Sequence, residues 1–263
     1  MARLKNDLDT RTDGRNAIAD RAIEILLSFS DDKPVLSAEQ LREANGMSRS
    51  AIYRYLTSLR ANGFIAEEPG QGFRLGPKLI EMARIARRDN PIMDVAQHHI
   101  RQLAAECGEI VQLLERVGRQ LILLEKIDSQ HTIGITHLRG GMLPSPAGSS
   151  AKVLIAFAPP KEFDELLRSV DLQAYTAKSI TDANELRQQI DLVRQNGYAL
   201  NDEELDEGVR AVAAPVFGRH EVRYAVSVVG PSFRLTDEAL PELISKVKAT
   251  AASISSELQQ RES

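Results

Sequence analysis

A single cysteine, Cys107, stands among the 263 residues, which excludes an internal disulfide and any multi-cysteine metal centre. No apolar run approaches the roughly 18 uninterrupted residues that a membrane span needs. The opening stretch, MARLKNDLDTRTDGRN, is polar and lacks the apolar middle of a secretory signal, so a cytoplasmic protein is expected. Metal ligation fares no better. His98 and His99 are adjacent, and on a helix they point apart instead of chelating as an i, i+4 pair would, while His131, His137 and His220 have no companions at ligand spacing. The acidic run D-E-E-L-D-E at 202–207 lacks the alternating acids and turn glycine of a calcium loop and reads as a solvated loop. No metal and no cofactor are expected.

Charge is unevenly divided. The chain carries a formal −4, but residues 1–90 hold 15 basic and 13 acidic side chains and the remainder 18 and 24; within 42–88 the count is 9 basic to 4 acidic. A mildly basic front joined to an acidic back suits a chain with one part facing nucleic acid.

The front has a recognisable order. Ile18, Ala22, Ile25, Leu26 and Phe29 recur at helical spacing. A second, short helix follows, with Ser37 and Gln40 at capping-box spacing, Leu36 and Leu41 as a hydrophobic staple and Gly46 as its stop. Ser48 caps a third helix ending near Gly63, whose buried stripe is Ile52, Leu56 and Leu59. Two helices joined by so tight a Gly-containing turn make a helix-turn-helix. The opposite face of the third helix, Arg49, Ser50, Tyr53, Arg54 and Thr57, carries groups suited to phosphates and base edges, and no acid occurs between Ser48 and Phe64. F-I-A-E-E-P-G-Q-G-F-R-L then reads as a two-stranded wing, with Gln71 and Arg74 placed to touch the backbone or minor groove.

Pro77 opens one more helix, striped by Leu79, Met82, Ala83 and Ala86, with Arg84, Arg87 and Arg88 late in it and Asn90-Pro91 as its stop. Its apolar stripe calls for burial, against a partner subunit or against the back of the same chain. That back reads as a helix from Ile92 to Gly108 with Cys107 inert on its apolar side, two strands in VQLLERVGRQLILLEKI and a third in T-I-G-I-T-H. Helices at 150–157, 161–169 and 182–196 follow, then strands VRAVAAPV and YAVSVVG. A long helix from Thr236 closes it, striped by Leu240, Leu243, Val247, Ala251, Ile254 and Leu258. Strands and helices are grouped, not alternating, so the class is α+β with a mixed or antiparallel sheet. The segments are 1–16 as an arm, 17–76 as a winged helix-turn-helix, 77–91 as a linker helix and 92–263 as an α/β domain.

G-S-S-A-K-V (148–153) is the one stretch that looks like chemistry. As a phosphate loop it fails, because Pro146, Ala151 and Val153 occupy fixed positions of the G-x-x-x-x-G-K-[ST] pattern. Ser149-x-x-Lys152 does match the S-x-x-K of serine acyl enzymes, but the companion S-D-N and K-T-G elements are missing. The third reading is a helix N-terminus capped by Ser149 or Ser150, a ready site for a carboxylate. Lys152 in its first turn opposes the helix dipole and asks for a negative partner, supplied by a ligand or by an acid elsewhere in the chain.

The sequence resembles the IclR family of bacterial transcriptional regulators. The resemblance is carried by R-A-I-E-I-L (21–26), G-M-S-R-S-A-I-Y-R-Y-L (46–56), L-R-A-N-G-F-I (59–65), F-R-L-G (73–76), Y-T-A-K-S-I-T-D (175–182), N-G-Y-A-L-N-D-E-E-L-D-E-G-V-R-A-V-A-A-P-V (196–216) and V-S-V-V-G-P (226–231). It implies a DNA-binding winged helix-turn-helix, with Ser48 among its contacts, joined by a linker helix to a GAF-like effector domain. It also implies a homodimer or tetramer, a near-palindromic double-stranded operator, an organic-acid effector, and more often repression than activation. Transferred residue by residue, its effector site falls on Ser149, Ser150, Asn201, Ala211, Ser227 and Val229. Several positions depart from the common pattern: Ala211 replaces a frequent cysteine, Asn201 a frequent aspartate, Val229 a second serine, Ala151 a glycine and Pro146 a histidine. Such a site is less polar and less acidic, which suits a ligand with more apolar surface, such as an aromatic carboxylate.

Overall fold

The computed structural model describes residues 17–30, 32–88, 90–118, 120–131, 142–143, 148–168, 172–219 and 221–261. The 1–16 arm, the T-I-G-I-T-H strand, His137, His220 and Pro146 lie outside the described residues. The chain divides between residues 89 and 90 into two compact units.

The first unit runs α1 (Ala17–Leu26), β1 (Val35–Leu36), α2 (Ala38–Ala44), α3 (Arg49–Ala61), β2 (Ile65–Glu68), β3 (Gly72–Leu75) and α4 (Pro77–Arg88). Local chemistry sets its helix starts. Ser37 accepts from the Gln40 N–H while the Gln40 side chain accepts from the Ser37 N–H, a complete capping box. Ser48 accepts from the Ala51 N–H. Both staples are buried, Leu36 with Leu41 and Met47 with Ile52, in one cluster with Ile25, Leu56, Leu59 and Ile65. β3 is the middle strand of a three-stranded antiparallel sheet, paired with β2 and with the two-residue β1 that periodicity does not reveal.

The last residue before α4 is pinned. The Gly76 N–H donates to the Phe64 carbonyl at 2.7 Å, and the Lys78 N–H at the start of α4 donates to the Gly63 carbonyl at 3.1 Å. A Cβ at position 76 would lie 2.1 Å from the Gly63 oxygen, so only glycine fits this approach. The end of α3 and the start of α4 are thereby stitched together. Beyond the stitch α4 has no buried residue, and Ile80, Met82 and Ile85 are exposed.

The second unit runs α5 (Pro91–Cys107), β4 (Ile110–Val117), β5 (Gln120–Ile127), β6 (Met142–Leu143), α6 (Ser149–Ala156), α7 (Pro160–Arg168), α8 (Ala183–Asn196), β7 (Ala199–Asp202), β8 (Val209–Phe217), β9 (Val222–Pro231) and α9 (Leu240–Arg261). The sheet order is β6-β5-β4-β9-β8-β7, and every described pairing is antiparallel. The mixed alternative therefore falls away: the β4–β5 and β8–β9 hairpins set the direction of the whole sheet. α9 starts at Leu240, later than the expected Thr236, because residues 236–239 form turns. Its apolar stripe is buried as the spacing predicts. α5 and α9 cover one face of the sheet, against Val111, Leu113, Val212, Ala214, Val226 and Val228. α6, α7 and α8 form a second core over the other face, against Ala199, Ala213 and Ala225.

Replacing Gly76 with alanine is expected to cost the first unit about 1–3 kcal/mol, the usual range for overpacking. Amide exchange along α3 reads this directly; unchanged protection in G76A would contradict the close packing of Gly63 and Gly76.

Candidate functional site

Two surfaces carry the residues singled out by sequence. On α3, one face buries Ile52, Leu56 and Leu59, and the other exposes Arg49, Ser50, Tyr53, Arg54 and Thr57. The Ser48 hydroxyl is engaged as the N-cap and lies 3.2 Å from the Ser50 hydroxyl. Thr57 donates to the Tyr53 carbonyl at 2.8 Å. The Arg54 guanidinium lies 5.5 Å from the centre of the Tyr55 ring. Basic groups differ in whether an acid already answers them. Arg60 is paired with Glu67, and Arg74 with Glu68 across the wing. Arg49 and Arg54 form no ion pair among the described residues. Gln71 is exposed on the wing turn, whereas the expected freedom of Arg74 is reduced by Glu68.

The second surface lies inside the α/β unit. Directly opposed residues on neighbouring strands point to the same face. Asn201 opposes Ala211, Ala211 opposes Val229, and Val229 opposes Ile110, so one row crosses four strands. Ser227 stands two residues from Val229, opposite Ala213, and shares that face. Ala213 belongs to the core under α6, and α6 packs on β7, β8 and β9. The first helical residues of α6 are Ser149 and Ser150. The register thus puts Asn201, Ala211, Ser227 and Val229 on the sheet face that α6 packs on, and Ser149 and Ser150 begin that helix; each of the six is at most 7 % exposed. Ile110, Ala211, Val229 and Val209 form a small apolar cluster of their own.

Buried polar groups normally find partners. The wholly buried side-chain atom without a partner among the described residues is Arg116 Nε; the hydroxyls of Ser149, Ser150 and Ser227 and the Asn201 NH2 also carry no hydrogen bond there, but they are not among the atoms sealed from solvent. The Asn201 carbonyl is used: it accepts from the Glu204 N–H at 3.0 Å. The helix end differs from expectation. Gly148, not a serine, is the N-cap of α6, and no side chain caps it. Gly148 has φ +102°, and a Cβ there would lie 2.9 Å from Leu205 Cδ1. The positive φ is what favours glycine here, and the tip of the Leu205 side chain, from the 202–207 segment, lies beside it.

That segment also answers Lys152, which is 1 % exposed. Its Nζ donates to Glu204 Oε1 and to the Leu200 carbonyl, both at 2.6 Å. An ammonium donating to both has no lone pair to accept a proton from Ser149, so the serine-enzyme arrangement is not assembled. The solvated-loop expectation for 202–207 is likewise corrected. Asp202 pairs with Arg210 and Lys178, and Glu203 pairs with Lys178. The Glu203 carboxyl is held below its usual range by the Gly208 N–H and by Lys178. Glu203 has φ +62°, unusual outside glycine, and is fixed there by its N–H to the Val209 carbonyl and by Thr176 donating to its own carbonyl. Asp202, Glu203 and Glu204 are thus taken up by neighbours in the chain, while Asp206 and Glu207 stay exposed as expected, and no metal-type cluster occurs among the described residues. Sequence reasoning missed Glu204; the signal was Lys152 itself, whose first-turn charge demanded an anion without saying where.

The remaining candidates are structural. His98 and His99 stack edge to face at 5.6 Å, and His99 Nε2 lies 2.9 Å from Glu257, joining α5 to α9. Burial pushes the Cys107 thiol up, away from thiolate chemistry. No helix among the described residues is long and apolar enough to cross a membrane.

With the geometry in hand, comparison with known proteins is specific. The family described as "Bacterial transcriptional regulator IclR C-terminal" matches residues 86–256, and the "IclR helix-turn-helix domain" matches residues 19–69. The HTH-type transcriptional regulator KipR of Bacillus subtilis is 31% identical over 231 residues, covering 88% of this chain and 92% of that protein. A transcriptional regulator from Rhodococcus sp. RHA1 superposes with a TM-score of 0.79 at 26% identity, over 94% of this chain and 100% of that one. An IclR homolog from Microbacterium hydrocarbonoxydans, solved in complex with 4-hydroxybenzoate, shares the fold with a TM-score of 0.79 at 22% identity, over 94% of this chain and 100% of that one.

Removing one partner of a buried ion pair costs about 3–5 kcal/mol, while replacing both by apolar groups costs far less. Urea unfolding is therefore expected to show Lys152→Met strongly destabilised and the Lys152→Met, Glu204→Leu double variant largely restored. Equal losses in the two variants would mean the pair is not the strut described.

Proposed function

The chain belongs to the IclR family of bacterial transcriptional regulators, DNA-binding proteins and not enzymes, and we propose that it is a repressor whose hold on its operator is altered by a small organic acid. In this reading residues 17–76 bind DNA, 77–91 link, and 92–263 bind the effector and oligomerise, in the cytoplasm. α3 enters the major groove, with Arg49 and Arg54 as the charged readers and Ser50, Tyr53 and Thr57 beside them. Arg49 and Arg54 form no ion pair among the described residues, whereas Arg60 of the same helix does, and this supports the assignment. Gln71 and Arg74 on the wing touch the sugar–phosphate backbone, Arg74 by exchanging Glu68 for a phosphate. A homodimer presents two such helices, which calls for a near-palindromic operator.

The observation that carries the effector half is the set of donors without a hydrogen bond on this sheet face and at the start of α6: Ser149, Ser150, Ser227 and the Asn201 NH2. Beside them lie the free N–H groups of the first turn of α6 and an apolar floor of Ile110, Ala211 and Val229. A carboxylate on an apolar body satisfies both, and the 4-hydroxybenzoate held by a protein of the same fold is of that chemistry. Such a ligand regulates only if it binds the DNA-competent and DNA-incompetent arrangements unequally.

Two measurements test the halves separately. Against an operator selected by the protein from a random duplex pool, Arg49→Ala and Arg54→Ala are each expected to lose about 1–3 kcal/mol of affinity, and full binding by the double variant at moderate salt would remove α3 from the interface. In a thermal-shift screen of aromatic and aliphatic carboxylates, Ser150→Leu and Ser227→Leu are expected to lose the ligand response yet keep operator binding. Loss of ligand response and operator binding together would instead indicate a folding defect.

A further inference from the structure

The wing answers α3 with an acid. β2 carries Glu67 and Glu68 in succession, and alternation along a strand sends them to opposite faces. Glu67 shares the face of Ile65, which is buried in one cluster with Ile52, Leu56 and Leu59 of α3, and it pairs with Arg60. Glu68 faces the other way and pairs with Arg74 of β3. No acid occurs between Ser48 and Phe64, so the carboxylate that neutralises Arg60 comes from outside its helix.

The position of Arg60 gives that pairing a consequence. It comes three turns of helix after Arg49, about 20° around the axis and about 16 Å along it. It therefore stands in line with Arg49 and Tyr53 on the exposed side of α3, in the last turn. In helix-turn-helix docking the N-terminal residues of the second helix meet base edges. A guanidinium that much farther along serves phosphates, which attract it whatever the sequence.

Resting on the reading of α3 as the DNA-contacting helix, we propose that Glu67 sets the level of DNA affinity: by pairing with Arg60 it cancels a positive charge on the DNA-facing side of α3 and holds down binding to every duplex alike. The two side chains are 52% and 54% exposed, and an exposed pair costs little to open. The carboxylate nevertheless stays beside the guanidinium when DNA arrives. Its charge offsets the counterion release that Arg60 would otherwise drive. Glutamine at 67 keeps the side-chain shape and an oxygen for Arg60 but removes the opposing charge. Arg49 and Arg54, which form no ion pair among the described residues, are left to carry the attraction that brings base edges into reach.

The test is fluorescence anisotropy with the full chain, on a labelled mixed-sequence duplex and on an operator selected from a random pool, between about 50 and about 200 mM salt. Folded E67Q is expected to bind both duplexes about two- to fivefold tighter than wild type at the lower salt. Its plot of log affinity against log salt steepens by about 0.9 for each guanidinium released. The Arg60→Ala, Glu67→Gln variant, folded by circular dichroism, falls back to within about twofold of wild type. Unchanged affinity and slope in E67Q, a gain that survives the loss of Arg60, or a gain confined to the operator overturns the role of Glu67. Failure of folded wild type to bind either duplex at the lower salt, or full binding by the Arg49→Ala, Arg54→Ala variant, brings down the reading of α3 itself.

Discussion

An ammonium group sealed from water has to be answered by oxygen, and Lys152 is answered twice, by a carboxylate 52 residues away and by a backbone carbonyl of β7. Much of the α/β unit is arranged around that requirement. To bring Glu204 to Lys152 the chain leaves β7 through a tight turn, places the non-glycine Glu203 at positive φ, and secures the turn with Thr176, Ser179 and Lys178. The same turn seats Leu205 beside Gly148, whose positive φ suits the glycine that caps α6. With the cap position filled by a glycine, no side chain caps the first turn of α6 among the described residues. The pair, the turn and that helix end are one construction.

The first unit follows the same logic of which charges are answered. Arg60 and Arg74 are occupied by acids of the wing, which stiffens the join between α3 and the β-hairpin. Arg49 and Arg54 form no ion pair among the described residues, and they project from the side of α3 opposite its buried stripe. Surface ion pairs add little stability; their effect here is to decide which guanidinium groups remain available. The stitch between Gly63 and Gly76 then fixes the direction in which the chain leaves α3.

Much of this was legible in the sequence where the determinants are local. Ser37, Gln40, Ser48 and their staples announced α2 and α3 because capping is settled within four residues. The α9 stripe was equally plain, since a helix of that length repeats its period several times. β1, β6 and β7 were not read, because two to four residues carry no periodicity and exist as strands only through the neighbour that pairs with them. Glu204 was hidden for a related reason. D-E-E-L-D-E has the composition of a solvated loop, and nothing within it records that a buried lysine from a distant helix claims its third residue. The six effector-site residues came from resemblance to the family, and the strand register explains why Asn201, Ala211, Ser227 and Val229, so far apart along the chain, share one face.

Asn201 sits at the meeting point of these arrangements, with its oxygen committed to the turn and its nitrogen, in the proposed reading, left for a ligand. An aspartate in its place would fill the same volume and could accept the same Glu204 N–H. Its second oxygen would then stand where the amide nitrogen stands now, turning a donor into an acceptor without moving any strand or helix. Asparagine and aspartate are one nucleotide apart in the genetic code. If this face holds the proposed effector, the polarity it shows can therefore be inverted in one mutational step at fixed shape, a short route by which a single scaffold could diverge in the compounds it senses.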